Sequence, residues 1–344
     1  MVFTLTVVAF SISALLTRYF IRSTTILPIL DTPNARSLHS YPIPITGGIA
    51  ILIAIVLSTV LMTQFYKTLP HYCWELGISS LLIAAISFID DCHHLSALSR
   101  LVVHFLAAYL LLWPGEFELI ALSLPGIEWQ WPLVFQMGIS LLFIVWMINL
   151  YNFMDGMDGF AGGMTVIGFG TLAIFGQLAA QPEFMALNLI IASAGGGFLL
   201  FNFPPARIFM GDTGASTLGF LAAALSLWGN REGIFPLWIA VLLFSPFIVD
   251  ASVTLLRRML RGEKIWLAHK SHYYQRLVEL GWGHKRTVLL EYLLMVACSI
   301  SALLALHSSI YIQWLLLVAW GLIYIFIIYS VRWLERNPDS SLID

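Results

Sequence analysis

Carboxylates set among amides and glycines are the chemically loaded residues of this 344-residue chain. Asp90 and Asp91 stand side by side at the end of an apolar run. Adjacent carboxylates at a helix C-terminus oppose each other and the helix dipole, so a divalent metal, Arg100 or a substrate with a proton to give has to compensate them. In NLYNFMDGMDGFAGG, Asn149, Asn152, Asp155 and Asp158 recur at every third residue, which on a helix makes one polar row. Gly156 and Gly159 let a ligand or another backbone come close. In FMGDTGAS, Asp212 and Thr213 are expected to cap a helix, leaving the amides of Gly214 to Ser216 free to attract phosphate. A carboxylate there repels phosphate unless it holds Mg²⁺ that bridges to it.

Phe209, three residues before Asp212, is either a lipid-facing ring or a platform on which a base stacks. The basic stretch 257–286 places His269, His272 and His284 among eight Lys and Arg. His-x-x-His spacing suggests zinc, but without a nearby Cys or a carboxylate at ligand spacing, attraction of phosphate is the better account. For the arginines at 257–261 a topogenic role beside anionic lipid is the alternative. Pro246 and Asp250 interrupt FSPFIVDASV; the proline bends the helix and Asp250 needs a partner, for which Arg257 or Arg258 is nearest in sequence.

These residues must be positioned by membrane helices. The chain is 59% apolar and 10% charged, against roughly 25% charged in a soluble domain. A helix needs about 20 apolar residues to cross the hydrocarbon core. Eleven stretches qualify, near 2–21, 45–64, 76–90, 99–113, 132–150, 163–180, 187–203, 214–229, 234–256, 287–307 and 312–331. The fold expected is an all-α polytopic membrane protein forming one domain over 1–344. Alternate loops, with the helix ends beside them, hold fifteen Lys and Arg against only Lys67 and Arg231 in the other set. By the positive-inside rule the N-terminus is periplasmic and the C-terminus cytoplasmic.

The same division puts the motif loops 22–44, 90–98, 150–162, 204–213 and 257–286 on the cytoplasmic side. Polarity gathered at one interface, instead of along the membrane depth, argues against a channel and for an enzyme joining a soluble substrate to a membrane-held one. Residues 2–16 lack a preceding basic residue and a cleavage pattern and read as a retained helix. Cys73, Cys92 and Cys298 lack the spacing of a disulfide framework or zinc site.

Three ordered motifs and the Asp90–Asp91 pair together resemble the polyprenyl-phosphate N-acetylhexosamine-1-phosphate transferases over nearly the whole chain. They are R-x-x-H-x-x-P-x-P-x-x-G-G (Arg36, His39, Pro42, Pro44, Gly47, Gly48), N-F-M-D-G-x-D-G at 152–159 and P-A-x-I-F-M-G-D-x-G at 205–214. The resemblance implies transfer of a sugar 1-phosphate from a UDP-N-acetylhexosamine to undecaprenyl phosphate, releasing UMP, in the bacterial inner membrane. It implies Mg²⁺, with Mn²⁺ as substitute, on Asp212. It also implies Phe209 beside uracil, Asn152, Asp155 and Asp158 in the nucleotide site, and Asp90, Asp91 and His272 in the catalytic centre. Arg36, His39, Arg100, Arg207, Lys270 and Arg276 complete the substrate-binding set, the cations screening the meeting of two anions. Nucleic acid is not an expected partner; the bilayer is, and the sequence leaves open an oligomer.

One segment departs from the family. Where O-antigen and common-antigen initiators carry H-x-H-H, this chain reads His272, Tyr273, Tyr274, Gln275. That form is similar to the O-antigen-initiating branch using UDP-N-acetylfucosamine or UDP-N-acetylquinovosamine. The rivals are a CDP-alcohol phosphotransferase, whose Arg and downstream Asp pattern DGMDGFAGG lacks, and a cation-coupled transporter, for which only Asp250 is a candidate.

Overall fold

A computed structural model describes residues 1–337 except 23, 34–37, 39–40, 66–71, 114, 116, 120 and 265–268; Arg36 and His39 lie outside the described residues. The helices are α1 Val2–Phe20, α2 Gly47–Thr63, α3 Tyr72–His93, α4 Ala97–Leu112, α5 Leu133–Phe153, α6 Phe160–Leu178 and α7 Pro182–Asn202. They continue as α8 Gly211–Arg231, α9 Leu237–Leu243, α10 Ser245–Leu260, α11 Tyr273–Leu277, α12 Gly283–Leu306 and α13 Ile310–Arg336, with a π turn at Val278–Trp282.

A helix or helix pair stands at each of the eleven expected places. Among the described residues seven helices are long and apolar enough to cross a bilayer, or eight if the α9–α10 pair, bent by 80°, is one span. α2 and α4 are shorter apolar helices. The chain is therefore an all-α multi-span membrane protein. Its outer faces agree: Leu81, Val134, Leu293, Leu322 and Phe326 are 60–80% exposed (69%, 80%, 67%, 62% and 71%) on helices that also bury a core, a surface suited to acyl chains.

α8 is built differently. Every residue from Thr213 to Gly229 is buried, and it packs against α2, α3 and α5. Enclosed by protein, it needs no lipid-facing apolar side; its Gly, Ala, Ser and Thr let neighbouring backbones approach. This explains why α8 is absent from the seven.

Two short hairpins were not foreseen. β1 (Leu30–Asp31) pairs with β2 (Ile43–Pro44), and β3 (Leu122–Leu124) with β4 (Ile127–Trp129). The second turns at Pro125–Gly126, where proline fixes one φ and Gly126 takes φ +72°. Trp314 on α13 donates its indole N–H to the Pro125 carbonyl at 3.0 Å.

Candidate active site

The C-terminal end of α3, the start of α4, the end of α5 and the N-terminus of α8 converge on one acidic centre. Arg100 lies at its middle, donating from Nη1 to Asp90 Oδ2 at 2.5 Å and Asp212 Oδ2 at 2.9 Å. Asn152, in the last turn of α5, donates to Asp212 Oδ1 at 2.8 Å. Asp90 also accepts from the Leu95 amide at 2.6 Å, so the turn after α3 closes on its own carboxylate. Arg100 is thus the counter-charge for Asp90 that the adjacent-carboxylate argument required.

Asp91 is compensated in a way local sequence does not reveal. Its Oδ1 accepts from the Asp212 amide at 2.9 Å; its Oδ2 accepts from the Thr213 amide at 3.0 Å and the Thr213 hydroxyl at 2.5 Å. Asp91 therefore caps α8 from another helix, which corrects the expectation that Asp212 and Thr213 cap it. The free amides of a helix N-terminus favour a negative charge. Gly211 makes the approach feasible: it has φ +73°, and a Cβ there would crowd the Asp91 carboxylate and the Ile45 carbonyl. Relieved of capping, Asp212 keeps its side chain 33% exposed.

The expected polar row along α5 is also corrected. α5 ends at Phe153, so Asp155 and Asp158 occupy the following loop and point to different places. Asn149 bonds back to the Val145 carbonyl within its own helix at 2.7 Å. The Asp155 carboxyl is desolvated, and that burial, with the Asp212 and Asp91 charges beside it, pushes it well above its ordinary range. Asp158 instead accepts from the Ala206 amide at 2.9 Å and pairs with His284 Nδ1 at 2.9 Å. It fastens the 155–159 loop to the 204–206 turn and to α12. Asn202, not singled out in the sequence, adds to this fastening: it accepts from the Gly159 amide and donates to the Ile208 carbonyl, both at 2.9 Å.

The T-G-G stretch that opens α2 docks on the segment carrying Phe209. Gly47 and Gly48 donate amides to the carbonyls of Phe209 and Met210, and Phe209 donates its own to Pro44. Phe209 is half-buried, and Arg207 is exposed with no ion pair among the described residues.

The His272 segment packs beside this centre. Asp250 accepts from the amides of Tyr273 and Tyr274 at 3.0 and 3.1 Å and from His272 Nδ1 at 3.2 Å. This corrects the expected pairing of Asp250 with Arg257 or Arg258. His272 is 2% exposed, with its ring stacked 6.0 Å from Phe153. His269 lies 4.9 Å from it, centroid to centroid, and burial with the neighbouring His272 brings the His269 imidazole down to about 4. Lys270 pairs with Glu279 at 3.6 Å. Arg276 forms a two-point ion pair with Glu335 on α13 and lies over the Tyr273 ring, so in this arrangement it holds the C-terminal helix.

Tyr274 donates to the Phe153 carbonyl at 2.9 Å, joining the segment to the end of α5. A Cβ on Gly156 would collide with the Tyr274 hydroxyl and press on Gln275. Gly156→Ala is therefore expected to displace one loop from the other and to lower turnover about tenfold or more, since positioning errors near 1 Å cost up to ~100-fold. Initial rates of Gly156→Ala beside Gly170→Ala, where a Cβ meets nothing within 4 Å, check this; equal rates would contradict the packing argument.

Four carboxylates, Asp90, Asp91, Asp155 and Asp212, thus share one guanidinium and one helix N-terminus at the end of a bundle of membrane helices. Among the described residues no three His, Cys, Asp or Glu side chains are arranged to hold a metal ion by themselves. Such a centre, in such a fold, defines a membrane protein built to manage concentrated charge at an interface.

Comparison with known proteins gives the class its chemistry. Residues 73–230 match the family described as Glycosyl transferase family 4. A probable undecaprenyl-phosphate N-acetylglucosaminyl 1-phosphate transferase of Bacillus subtilis (strain 168) is 31% identical over 83% of this chain and 79% of its own. A decaprenyl-phosphate N-acetylglucosaminephosphotransferase of Mycobacterium leprae is 28% identical over 76% and 73%. A phospho-N-acetylmuramoyl-pentapeptide-transferase of Geobacillus thermodenitrificans is 28% identical over 71% and 78%. The chain belongs to this family of polyprenyl-phosphate hexosamine-1-phosphate transferases.

Proposed function

We propose that the chain transfers an N-acetylhexosamine 1-phosphate from a UDP-sugar to undecaprenyl phosphate, yielding undecaprenyl-pyrophosphoryl-sugar and UMP. The reaction would take place at the cytoplasmic face of the bacterial inner membrane and begin O-antigen or a related surface polysaccharide. The observation that carries the reading is the carboxylate cluster around Arg100 at the α8 N-terminus, reached from a membrane interface. The fifteen-to-two bias of basic residues supports its cytoplasmic sidedness.

In this reading an oxygen of the lipid phosphate attacks the sugar-bearing phosphorus, and the bond from that phosphorus to UMP breaks. Two anions have to meet. Arg100 and exposed Arg207 offset their repulsion, while Phe209 lies on the segment before α8 where a uracil ring would stack. Both carboxylate oxygens of Asp90, and both of Asp91, already accept hydrogen bonds, which suits organisers of the centre. His272, fixed by Asp250, lines the neighbouring loop.

The donor set suits Mg²⁺, with Mn²⁺ as substitute. Mg²⁺ is commonly held by one or two carboxylates, with water and substrate phosphates completing its shell, and needs no all-protein cage. Asp212 is the carboxylate for it: it is partly exposed, each oxygen has only one hydrogen-bond donor, and Asp155 and Asp91 stand beside it. When bound, the ion would supply charge neutralisation on the transferring phosphates.

The relatives' names favour N-acetylglucosamine, whereas His272-Tyr273-Tyr274-Gln275 favours the fucosamine or quinovosamine types. A panel settles it. Membranes containing the chain, with Mg²⁺, undecaprenyl phosphate and radiolabelled UDP-N-acetylhexosamines of these three types, are expected to release UMP and form a lipid-linked sugar with one of them. Folded protein giving no product with any donor would overturn the reading.

A further inference from the structure

His104 is a buried side chain near the acidic centre that the reaction scheme leaves idle. It is 4% exposed, and among the described residues neither ring nitrogen has a hydrogen-bond partner. A neutral imidazole carries one donor and one acceptor, and leaving both unmet in a membrane helix is unfavourable. Ser87 on α3 shares the condition: it is 1% exposed and its hydroxyl is unpartnered among the described residues.

Helix register relates these two through the Asp90–Arg100 pair. α3 and α4 form an antiparallel hairpin through the turn at Leu95 and Ser96, and Asp90 faces Arg100 across it at 2.5 Å. One turn deeper along each helix, on the same faces, stand Ser87 and His104. The ring also lies close enough to Asp90 and Arg100 for both charges to act on it. Asp90 has lone pairs left, since a carboxylate offers about four acceptor sites and two are taken.

We propose that His104 and Ser87 together hold one buried water that bonds in turn to the Asp90 carboxylate, which makes His104 a positioning residue for the bridge from Asp90 through Arg100 to Asp212. A buried water typically makes about three hydrogen bonds, the number this trio provides. The ring does not touch substrate. It fixes the carboxylate that fixes Arg100, and Arg100 sets the direction of Asp212. The catalytic consequence rests on the transferase reading; the hydrogen-bonded water does not.

The test measures two properties of the full chain in lipid nanodiscs, thermal midpoint and steady-state kinetics, for His104→Leu, His104→Gln, Ser87→Ala and His104→Leu with Ser87→Ala. Removing an unpartnered polar group for an apolar one leaves stability equal or higher, whereas removing a bridged one lowers it. The midpoint of His104→Leu is therefore expected to fall by a few degrees. Its kcat is expected to fall about tenfold, the scale seen when outer partners of a site are lost, while KM for the UDP-sugar stays within about twofold. His104→Gln should recover most of the loss, and the double variant should cost little more than His104→Leu.

A His104→Leu midpoint at or above wild type, with unchanged kcat, overturns the proposal. If His104→Leu does not fold, Ser87→Ala decides: wild-type midpoint and kcat there also overturn it, and a joint fall supports it. Should wild-type protein transfer no sugar, the transferase reading fails, and the midpoints alone still decide whether the ring is bridged.

Discussion

Asp212→Asn is expected to lower turnover at least about 1,000-fold while the protein folds and melts as wild type. The substitution keeps shape and leaves an oxygen to accept from Asn152 or Arg100, so the contacts at 2.8 and 2.9 Å are only partly lost. What disappears is the negative charge. Removing one of four clustered carboxylates relieves like-charge repulsion, so stability should hold or rise slightly. Catalysis has no such relief, because a missing charge-stabilising group in a phosphoryl-transfer site costs about 100- to 1,000-fold or more.

Arg100 would then answer to Asp90 alone and swing toward it, withdrawing a cation from the substrates' path. Rates at saturating UDP-sugar across a Mg²⁺ titration give the check. Wild type should lose activity to a chelator and regain it with Mg²⁺, while Asp212→Asn should stay flat at every concentration. Residual activity above about a tenth of wild type would remove Asp212 from the centre.

The helices were legible because the membrane constrains them so tightly. Residues 132–150 were expected to span, and α5 runs Leu133–Phe153, since an apolar stretch of that length has no other stable form in lipid. The same reasoning expects a span at 214–229, where α8 runs Gly211–Arg231, but the hydroxyl and small residues of α8 answer to neighbouring protein instead of lipid. Arg100, Asn152, Asp155 and Asp212 stand out by chemical type, and the structure gathers all four.

The corrections share another cause: each concerns a partner chosen through space. Asp250 reaches the amides of Tyr273 and Tyr274 instead of an arginine seven or eight residues along. Arg276 is drawn to Glu335, 59 residues away. Asp158 shares the motif of Asp155 but leaves the centre, because α5 stops at Phe153 and the loop rotates the two apart. Spacing identified which residues carry charge; only the packing of helices decided which charges met.

Asp91→Ala carries the largest expected effect on folding. Both oxygens of Asp91 are committed to the α8 N-terminus, through the amides of Asp212 and Thr213 and the Thr213 hydroxyl. Loss of an N-cap costs about 0.5–2 kcal/mol, and hydrogen bonds to a charged acceptor are worth about 1.5–3 kcal/mol each. Water replaces part of this, because Asp91 is only half-buried. A loss of about 3 kcal/mol follows, visible as a clear fall in the thermal midpoint. Asp91→Asn keeps one acceptor oxygen and should lose about 1 kcal/mol.

Activity should follow a different order from stability. Asp91 sets where α8 begins, and Asp212 is the second residue of that helix, so a frayed first turn moves the Asp212 carboxylate away from Arg100 and Asn152. Turnover should fall about 100-fold in Asp91→Ala even well below its melting temperature, where the folded fraction is complete. If melting and turnover of Asp91→Ala both match wild type, the cap is ornamental and α8 holds its first turn unaided. If melting falls but turnover of the folded protein does not, Asp91 serves the helix alone, and the placement of Asp212 depends on Arg100 and Asn152.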